Sequence, residues 1–177
     1  MKTIFSGAVP MTTLRTSRSA SIDVLEIDED HVKGAYKNVL LMVWAKRTLA
    51  DAYRRAISIV HEMRVDHPQG VCLFQVVEDT AVPPDTDARE AFTDLLKTEG
   101  VKQFSVVFEA SGFKAAAVRA IVQAGQALVR PKFPHSVHQS VAASAAWHAG
   151  LSREHSAAEL QEAVQLLREL HRSRYPV

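Results

Sequence analysis

The stretch "VVFEASGFKAAAVRAIVQAG", residues 106–125, shows how the chain is built. Its first residues form a short apolar run typical of a buried strand, and the residues after Gly112 have the apolar spacing of a helix. Ala110, Ser111 and Gly112 lie at the junction, where residues of these types end one element and begin the next. A strand that leads directly into a helix is the unit of a parallel sheet with crossover helices, so we expect an α/β fold.

Comparable patterns recur along the chain. Periodicity predicts strands over residues 21–27, 39–44, 71–77, 104–108 and 136–138. Gly34 allows a turn that would join the first two strands as an antiparallel hairpin. Helices are expected after Thr48 as N-cap, over residues 88–96 with Gly100 as C-terminal cap, over residues 113–128, and from about Val141. The order ββαβαβαβα predicts a mixed, mostly parallel sheet of four to five strands.

The C-terminal helix is an addition to this order. Ser156 and Glu159 have the spacing of a capping box, and the residues that follow are apolar on one side and charged on the other. Such an amphipathic helix docks on its own domain or on another chain, as in a homodimer.

The chain divides into three parts on this evidence. They are a mobile basic leader (residues 1–20), an α/β domain (residues 21–150) and a C-terminal helical extension (residues 151–177). The leader carries basic residues and no acidic ones, which fits a solvated tail or an electrostatic contact with an acidic partner or a membrane.

Composition bounds the class of protein. The 177 residues are 47% hydrophobic and 23% charged with a net charge of +1, which fits a globular protein and argues against disorder or a nucleic-acid partner. No apolar stretch reaches membrane-spanning length, and no secretory signal is visible, so we expect a cytoplasmic protein. The single cysteine, Cys72, lies in an apolar run and is expected to be a buried, unreactive residue.

Two segments carry a resemblance to a known family: "VKQFSVVFEASGF", residues 101–113, and "FPHSVHQSVAASAAWHAGL", residues 133–151. Together with the element order they resemble the STAS fold of anti-sigma-factor antagonists, in its SpoIIAA-like branch, where small residues precede a tryptophan in the closing helix. The resemblance covers about residues 21–150. It implies a non-enzymatic bacterial regulator or scaffold that acts through a protein partner or as a homodimer, without a cofactor.

Some members of that family are switched by phosphorylation of a hydroxyl after the third strand. The corresponding segment here reads "EDTAVPPDTDARE" and lacks the family's Asp-Ser-Ser-Gly-like motif. Only Thr80 and Thr86 offer a hydroxyl, and neighbouring acidic residues would oppose a phosphate. The alternative is that Asp85 or Thr86 simply caps the following helix. The same loop carries two prolines that would stiffen an apolar tip suited to a small binding surface.

Ser111 leaves three roles open. It can cap the helix, or it can bind an anion together with Gly112, Lys114 and Arg119, because no acidic residue occurs between Ala110 and Ser152. An anionic or lipid-like small ligand is therefore the alternative function. A nucleophilic role is disfavoured because the Gly-x-Ser-x-Gly pattern is absent, so no catalytic residue is assigned.

The histidines give no metal site. His135 and His138 flank a short predicted strand and should point to opposite faces of the sheet, which disfavours joint metal ligation. His61 and His67 lie near the end of the first helix without a helical histidine pair.

Overall fold

The computed structural model describes residues 12–15, 21–109, 116, 119–120, 123–124, 127 and 130–176. These residues form seven strands and the helices between them. The strands are β1 (Thr12–Arg15), β2 (Ser21–Ile27), β3 (His31–Tyr36), β4 (Val39–Trp44), β5 (Val71–Val77), β6 (Val101–Phe108) and β7 (His135–His138). The helices are α1 (Ala50–Asp66), α2 (Thr86–Lys97), α3 (Val141–Leu151) and α4 (Ala157–Arg174). Residues 116, 119–120, 123–124 and 127 are also helical.

All seven strands form one sheet in sequence order, β1 to β7. Strands β1 to β4 are antiparallel, and β4 to β7 are parallel. The parallel connections all step in one direction, so right-handed crossovers place α1 and α2 on the same face. The α/β class and the mixed sheet are therefore confirmed, whereas the predicted four to five strands and the ββαβαβαβα order are wrong.

The sheet separates two apolar cores. Alternate residues of the fully buried strand β4 serve each core: Leu40, Met42 and Trp44 pack under α1 and α2, and Val39, Leu41 and Val43 pack under α3 and α4. A strand buried on both faces needs a continuous apolar run, which explains why β4 and β5 were predicted with their observed bounds.

The missed strand β3 corrects the predicted hairpin. It lies between β2 and β4, and Gly34 is in the middle of it rather than in a turn. A Cβ atom at Gly34 would lie 3.0 Å from Leu167 of α4, so the glycine allows this helix to approach the sheet closely. The turn into β4 is instead at Lys37, whose φ is 52°.

Two predicted helix ends also differ from the structure. The N-cap of α1 is Leu49, which makes no side-chain capping bond, so Thr48 is not the cap. The C-cap of α2 is Thr98, and Gly100 lies two residues further on with a φ of 96°. By contrast, Asp85 caps α2 by accepting the N–H of Ala88, as one of the two alternatives predicted.

Both ends of the domain pack on the same sheet. Four residues of the segment interpreted as a leader form β1, which pairs with β2. Helix α4 begins at the predicted capping box of Ser156 and Glu159 and buries its apolar side under β2, β3 and β4. The extension therefore docks on its own domain.

Candidate functional site

Helix α3 is the closing helix of the sheet, and its outer face carries no charged side chain. Its eleven residues, "VAASAAWHAGL", include no Asp, Glu, Lys or Arg. The exposed positions are small or apolar: Ala142, Ala143, Ala146, Gly150 and Leu151. We call these five residues the α3 ridge. Exposed helix faces are normally polar or charged, so this one is suited to contact with another apolar surface.

The inner face of α3 is tied to the sheet by polar side chains. The Ser105 hydroxyl of β6 lies 2.7 Å from the Ser144 hydroxyl and 2.7 Å from His148 Nε2. All three side chains are fully buried, and burial lowers the pKa of His148 to about 3, so the imidazole is neutral. A serine beside a neutral histidine is a component of nucleophilic sites, but a substrate cannot reach this one. We interpret it as a structural contact that fixes α3 in place.

An arginine connects the N-terminus of α3 with the carboxyl ends of two strands. Arg168 of α4 donates to Glu78, after β5, at 2.6 Å and to Glu109, after β6, at 2.8 Å. Glu109 in turn accepts the N–H of Val141, the first residue of α3, at 3.1 Å. The position and orientation of α3 are therefore fixed by groups on three other elements.

The loop after β5 is held by hydrogen bonds to the segment that follows β4. The Thr80 hydroxyl donates to the Ala45 carbonyl at 2.6 Å, and the Val82 N–H donates to the Lys46 carbonyl at 2.7 Å. The Val82 side chain is 52% exposed on this fixed loop. Of the two predicted phosphoacceptors, Thr80 has its hydroxyl engaged and Thr86 is exposed in the first turn of α2. Phosphorylation of either stays a prediction.

A small cavity of about 150 Å³ lies between this loop and the end of α4. Val43 and Ala45 line it on the sheet side, and Thr80, Arg172 and Tyr175 line its rim. It has charged groups of both signs, including the paired Glu78 and Arg168. Because the lining carries both charges, the cavity does not indicate which class of ligand it could bind.

On the opposite face of the sheet, a buried lysine forms an ionic cluster that the sequence did not reveal. The Lys33 side chain is fully buried, and its Nζ lies 2.5 Å from Glu26 Oε2 and 2.9 Å from His31 Nε2. His31 Nδ1 lies 3.0 Å from Asp28 Oδ1. A register shift in β2 between Val24 and Glu26 places Glu26 opposite Lys33. We call Glu26, Asp28, His31 and Lys33 the Lys33 cluster.

The pKa values in the Lys33 cluster follow from burial and hydrogen bonding. Burial lowers the pKa of Lys33 despite its bond to Glu26. Burial would also lower the pKa of His31, but hydrogen bonds with Asp28 and Glu26 outweigh it and raise this pKa. For Asp28, burial is outweighed by hydrogen bonds from His31 and the backbone, so the pKa falls to about 2.

The Lys33 cluster also includes the one group of three potential metal donors found in the described part of the chain, Glu26, Asp28 and His31, whose donor atoms lie within 4.8 Å of one another. The Lys33 ammonium bonds to the same Glu26 oxygen and His31 nitrogen that a metal would use. The carboxylates and the imidazole bind the Lys33 ammonium group, and we assign no metal to them.

The predicted anion site falls mostly outside the described residues. Ser111, Gly112 and Lys114 are not described, whereas Arg119 is helical and lines a cavity of about 60 Å³ with His138. The strand order β4 to β7 also has no reversal, and ligands of open α/β sheets usually bind where the order reverses. Anion binding at Ser111, and with it the small-ligand function, stays a prediction.

The remaining sequence predictions are located as follows. The register pairs His135 with Phe104 and His138 with Val107, which places the two histidines on opposite faces as expected. Cys72 is buried, and burial raises the pKa of its thiol to about 11, in agreement with an unreactive role.

Sequence reasoning missed Ser105, Ser144 and His148. The one available signal was the polar Ser105 within the apolar run of β6.

In comparisons with known proteins, the chain matches no protein-family model, no curated protein and no solved structure. Within the described ranges, the helices are all too short or too polar to cross a membrane.

Proposed function

We propose that the protein is a non-enzymatic regulator or scaffold that acts by binding another protein, and that the α3 ridge is its binding surface. The observation that carries this proposal is the lack of charge on an exposed helix face, with Leu151 53% exposed at its end. Burying this face against a partner would remove apolar surface from water, which is the main favourable contribution in protein association.

The small residues of the ridge indicate what kind of partner fits. Ala142, Ala146 and Gly150 are spaced four residues apart and therefore lie along one line of the helix. A Cβ atom added at Gly150 would meet nothing within 4 Å. Side chains this small let a second backbone approach closely, so an apolar helix of the partner is the expected contact.

The support of α3 suits such a role. Its N-terminus is held by Glu109, and its inner face is held by Ser105 through Ser144 and His148. A surface that is already ordered loses little conformational entropy when a partner binds. The resemblance to STAS proteins, which stays a prediction, would also imply a protein partner.

Ala146→Arg tests the proposal, because a long charged side chain on the ridge would block close helix approach. Val65→Arg is the matched control, since Val65 is an apolar residue, 81% exposed, on α1. Tagged protein is used to capture stoichiometric partners, including untagged copies of itself, from cells that make it naturally. We expect Ala146→Arg to lower capture by about tenfold or more, and Val65→Arg to capture normally.

Two results would contradict the proposal. One is capture of the same partner by Ala146→Arg at wild-type yield. The other is the recovery of no stoichiometric partner at all, together with a monomer at every concentration in analytical ultracentrifugation.

A further inference from the structure

Only one N–H can lie between the Lys33 and His31 side chains. Lys33 Nζ and His31 Nε2 are 2.9 Å apart, so one nitrogen must donate and the other must accept. If both groups were charged, two N–H donors would face each other in a buried site, where repulsion is strong. The observed contact therefore excludes the state in which both groups are charged.

The groups around this contact favour uptake of a further proton. With Lys33 charged and His31 neutral, the carboxylates of Glu26 and Asp28 leave the Lys33 cluster with one net negative charge. The titratable or charged side chains that interact with the cluster from other elements are Tyr53 and Arg55 of α1, His171 of α4 and Arg47 before α1. Arg47 is paired with Asp30 at 2.8 Å. Arg55 is paired with Glu62 at 2.7 Å, and the pKa of Tyr53 is raised by burial, so Tyr53 stays neutral.

The cluster already contains an acceptor for the charged imidazole. Glu26 Oε2, the oxygen that binds Lys33, lies 3.5 Å from His31 Nε2. Once Nε2 carries a proton, it can donate to Glu26 but can no longer accept from Lys33. Burial opposes the charge on His31, but Asp28 and Glu26 support it more strongly, so the pKa of His31 is raised above its ordinary value.

Neighbouring groups would register this change. The Trp44 ring lies 5.1 Å from the His31 ring and 5.8 Å from Lys33 Nζ, and its buried Nε1 has no hydrogen-bond partner. The turn that carries Asp28 is bonded to α4, since the Asp28 carbonyl lies 2.9 Å from His171 Nε2.

A second set of bonds leads from the same turn to the loop of Val82. The Asp30 carbonyl accepts the Lys46 N–H at 3.1 Å, and the Lys46 carbonyl accepts the Val82 N–H at 2.7 Å.

We propose that His31 and Lys33 form a proton-operated switch, in which protonation of His31 breaks its contact with Lys33 and rearranges the packing around Trp44. At higher pH, Lys33 bridges Glu26 and His31. At lower pH, Glu26 binds the charged His31, and the hydrogen bond between Glu26 and Lys33 is weakened. The Lys33 cluster and the α3 ridge lie on opposite faces of the sheet, so the switch can be tested without the proposed partner.

NMR of the histidine rings and of the Trp44 indole, from about pH 5 to about pH 9, tests the switch. We expect His31 to titrate with a midpoint above its ordinary value of 6.5 and the Trp44 signal to change with the same midpoint. Lys33→Met removes the competing charge and should raise the His31 midpoint by about one pH unit or more.

His31→Gln is the second variant, and it should abolish the titration of the Trp44 signal without removing either carboxylate. His61→Gln, which removes an exposed histidine of α1, is the control and should leave that titration unchanged. A Trp44 signal that stays constant over the whole range, or a His31 midpoint that is the same with and without Lys33, would overturn the proposal. If Lys33→Met does not fold, persistence of the Trp44 titration in His31→Gln would still overturn it.

Discussion

Helices α3 and α4 lie side by side on one face of the sheet, yet their outer faces differ completely. Both begin with a serine N-cap, Ser140 and Ser156, and both bury one side in the same core. The exposed side of α4 carries glutamine, glutamate and arginine, whereas the exposed side of α3 carries alanine, glycine and leucine. Because water contacts both helices, the difference agrees with the proposal that α3, and not α4, contacts a partner.

The support of the two helices differs as well. Helix α4 begins with its own capping box and packs through Leu160, Ala163, Val164 and Leu167, and its Arg168 and His171 also bond to other elements. Helix α3 depends on polar groups supplied by other elements, Glu109 at its end and Ser105 beneath it. Apolar packing fixes a helix through area, whereas hydrogen bonds also fix its direction. The N-terminus of α3 is therefore oriented by another element, whereas that of α4 is capped by its own residues.

Leu167→Ala should have the largest effect on stability. Leu167 is fully buried against Gly34, and deleting such a side chain leaves a cavity that costs about 3 kcal/mol in the free energy of unfolding. Leu151→Ala on α3 removes the same atoms from an exposed site and should cost less than about 0.5 kcal/mol. Urea denaturation of both variants gives the comparison. Equal losses would contradict the exposure of Leu151 and would mean that a bound partner already buries it in the purified protein.

The strong elements were predictable because their residues interact locally or are buried on both faces. Strands β4 and β5 are apolar at nearly every position, and the capping box of α4 is a four-residue pattern. Both signals lie within one segment of sequence. Prediction therefore needed no knowledge of distant contacts.

Arg168→Leu should have the next largest effect. Arg168 is almost buried between Glu78 and Glu109, and its loss leaves two carboxylates without their partner. Since Glu109 is half-exposed to water, we expect about 2 kcal/mol, less than for a fully buried pair. Arg172→Leu, one turn further along the exposed side of α4, is the control and should cost less than about 0.5 kcal/mol. Chemical denaturation is again the measurement, and similar losses for the two variants would contradict the role of Arg168.

The parts that could not be predicted depend on residues that are distant in sequence. Strand β3 reads "HVKGAY", and a lysine, a histidine and a glycine in six residues do not suggest a buried strand. Lys33 is buried because Glu26 and His31 bind it, and Gly34 is required because Leu167 packs on it. Each reason lies on another strand or helix, so the local pattern predicted a turn instead.

Removal of the two serine caps compares the helix N-termini directly. Ser156→Ala breaks a reciprocal capping box and should cost about 1 kcal/mol. Ser140→Ala also removes a cap, but Glu109 still accepts the Val141 N–H, so we expect about half that loss. The difference is measured by thermal and urea unfolding at one pH. A larger loss for Ser140→Ala would show that Glu109 does not support α3 as described.

The smallest expected effect is a pH dependence confined to α4. Glu159 accepts the Ser156 N–H at 2.7 Å, and this hydrogen bond lowers the pKa of Glu159 from 4.5 to about 2. Because the pKa is lower in the folded state, the stabilisation by Glu159 is complete above about pH 4.5 and is lost as the pH falls to about 2. Glu159→Gln should therefore be less stable than the wild type at neutral pH, by an amount that shrinks over this range.

Urea denaturation of the wild type and of Glu159→Gln at several pH values measures this difference. The difference between the two proteins isolates the contribution of Glu159, the acidic residue in the first turn of α4. A difference that stays constant from neutral pH down to about 2 would mean that the Glu159 carboxylate does not bind Ser156 in its charged form. The capping box would then stabilise α4 no more than a single serine cap does. The N-termini of α3 and α4 would in that case be supported in the same way.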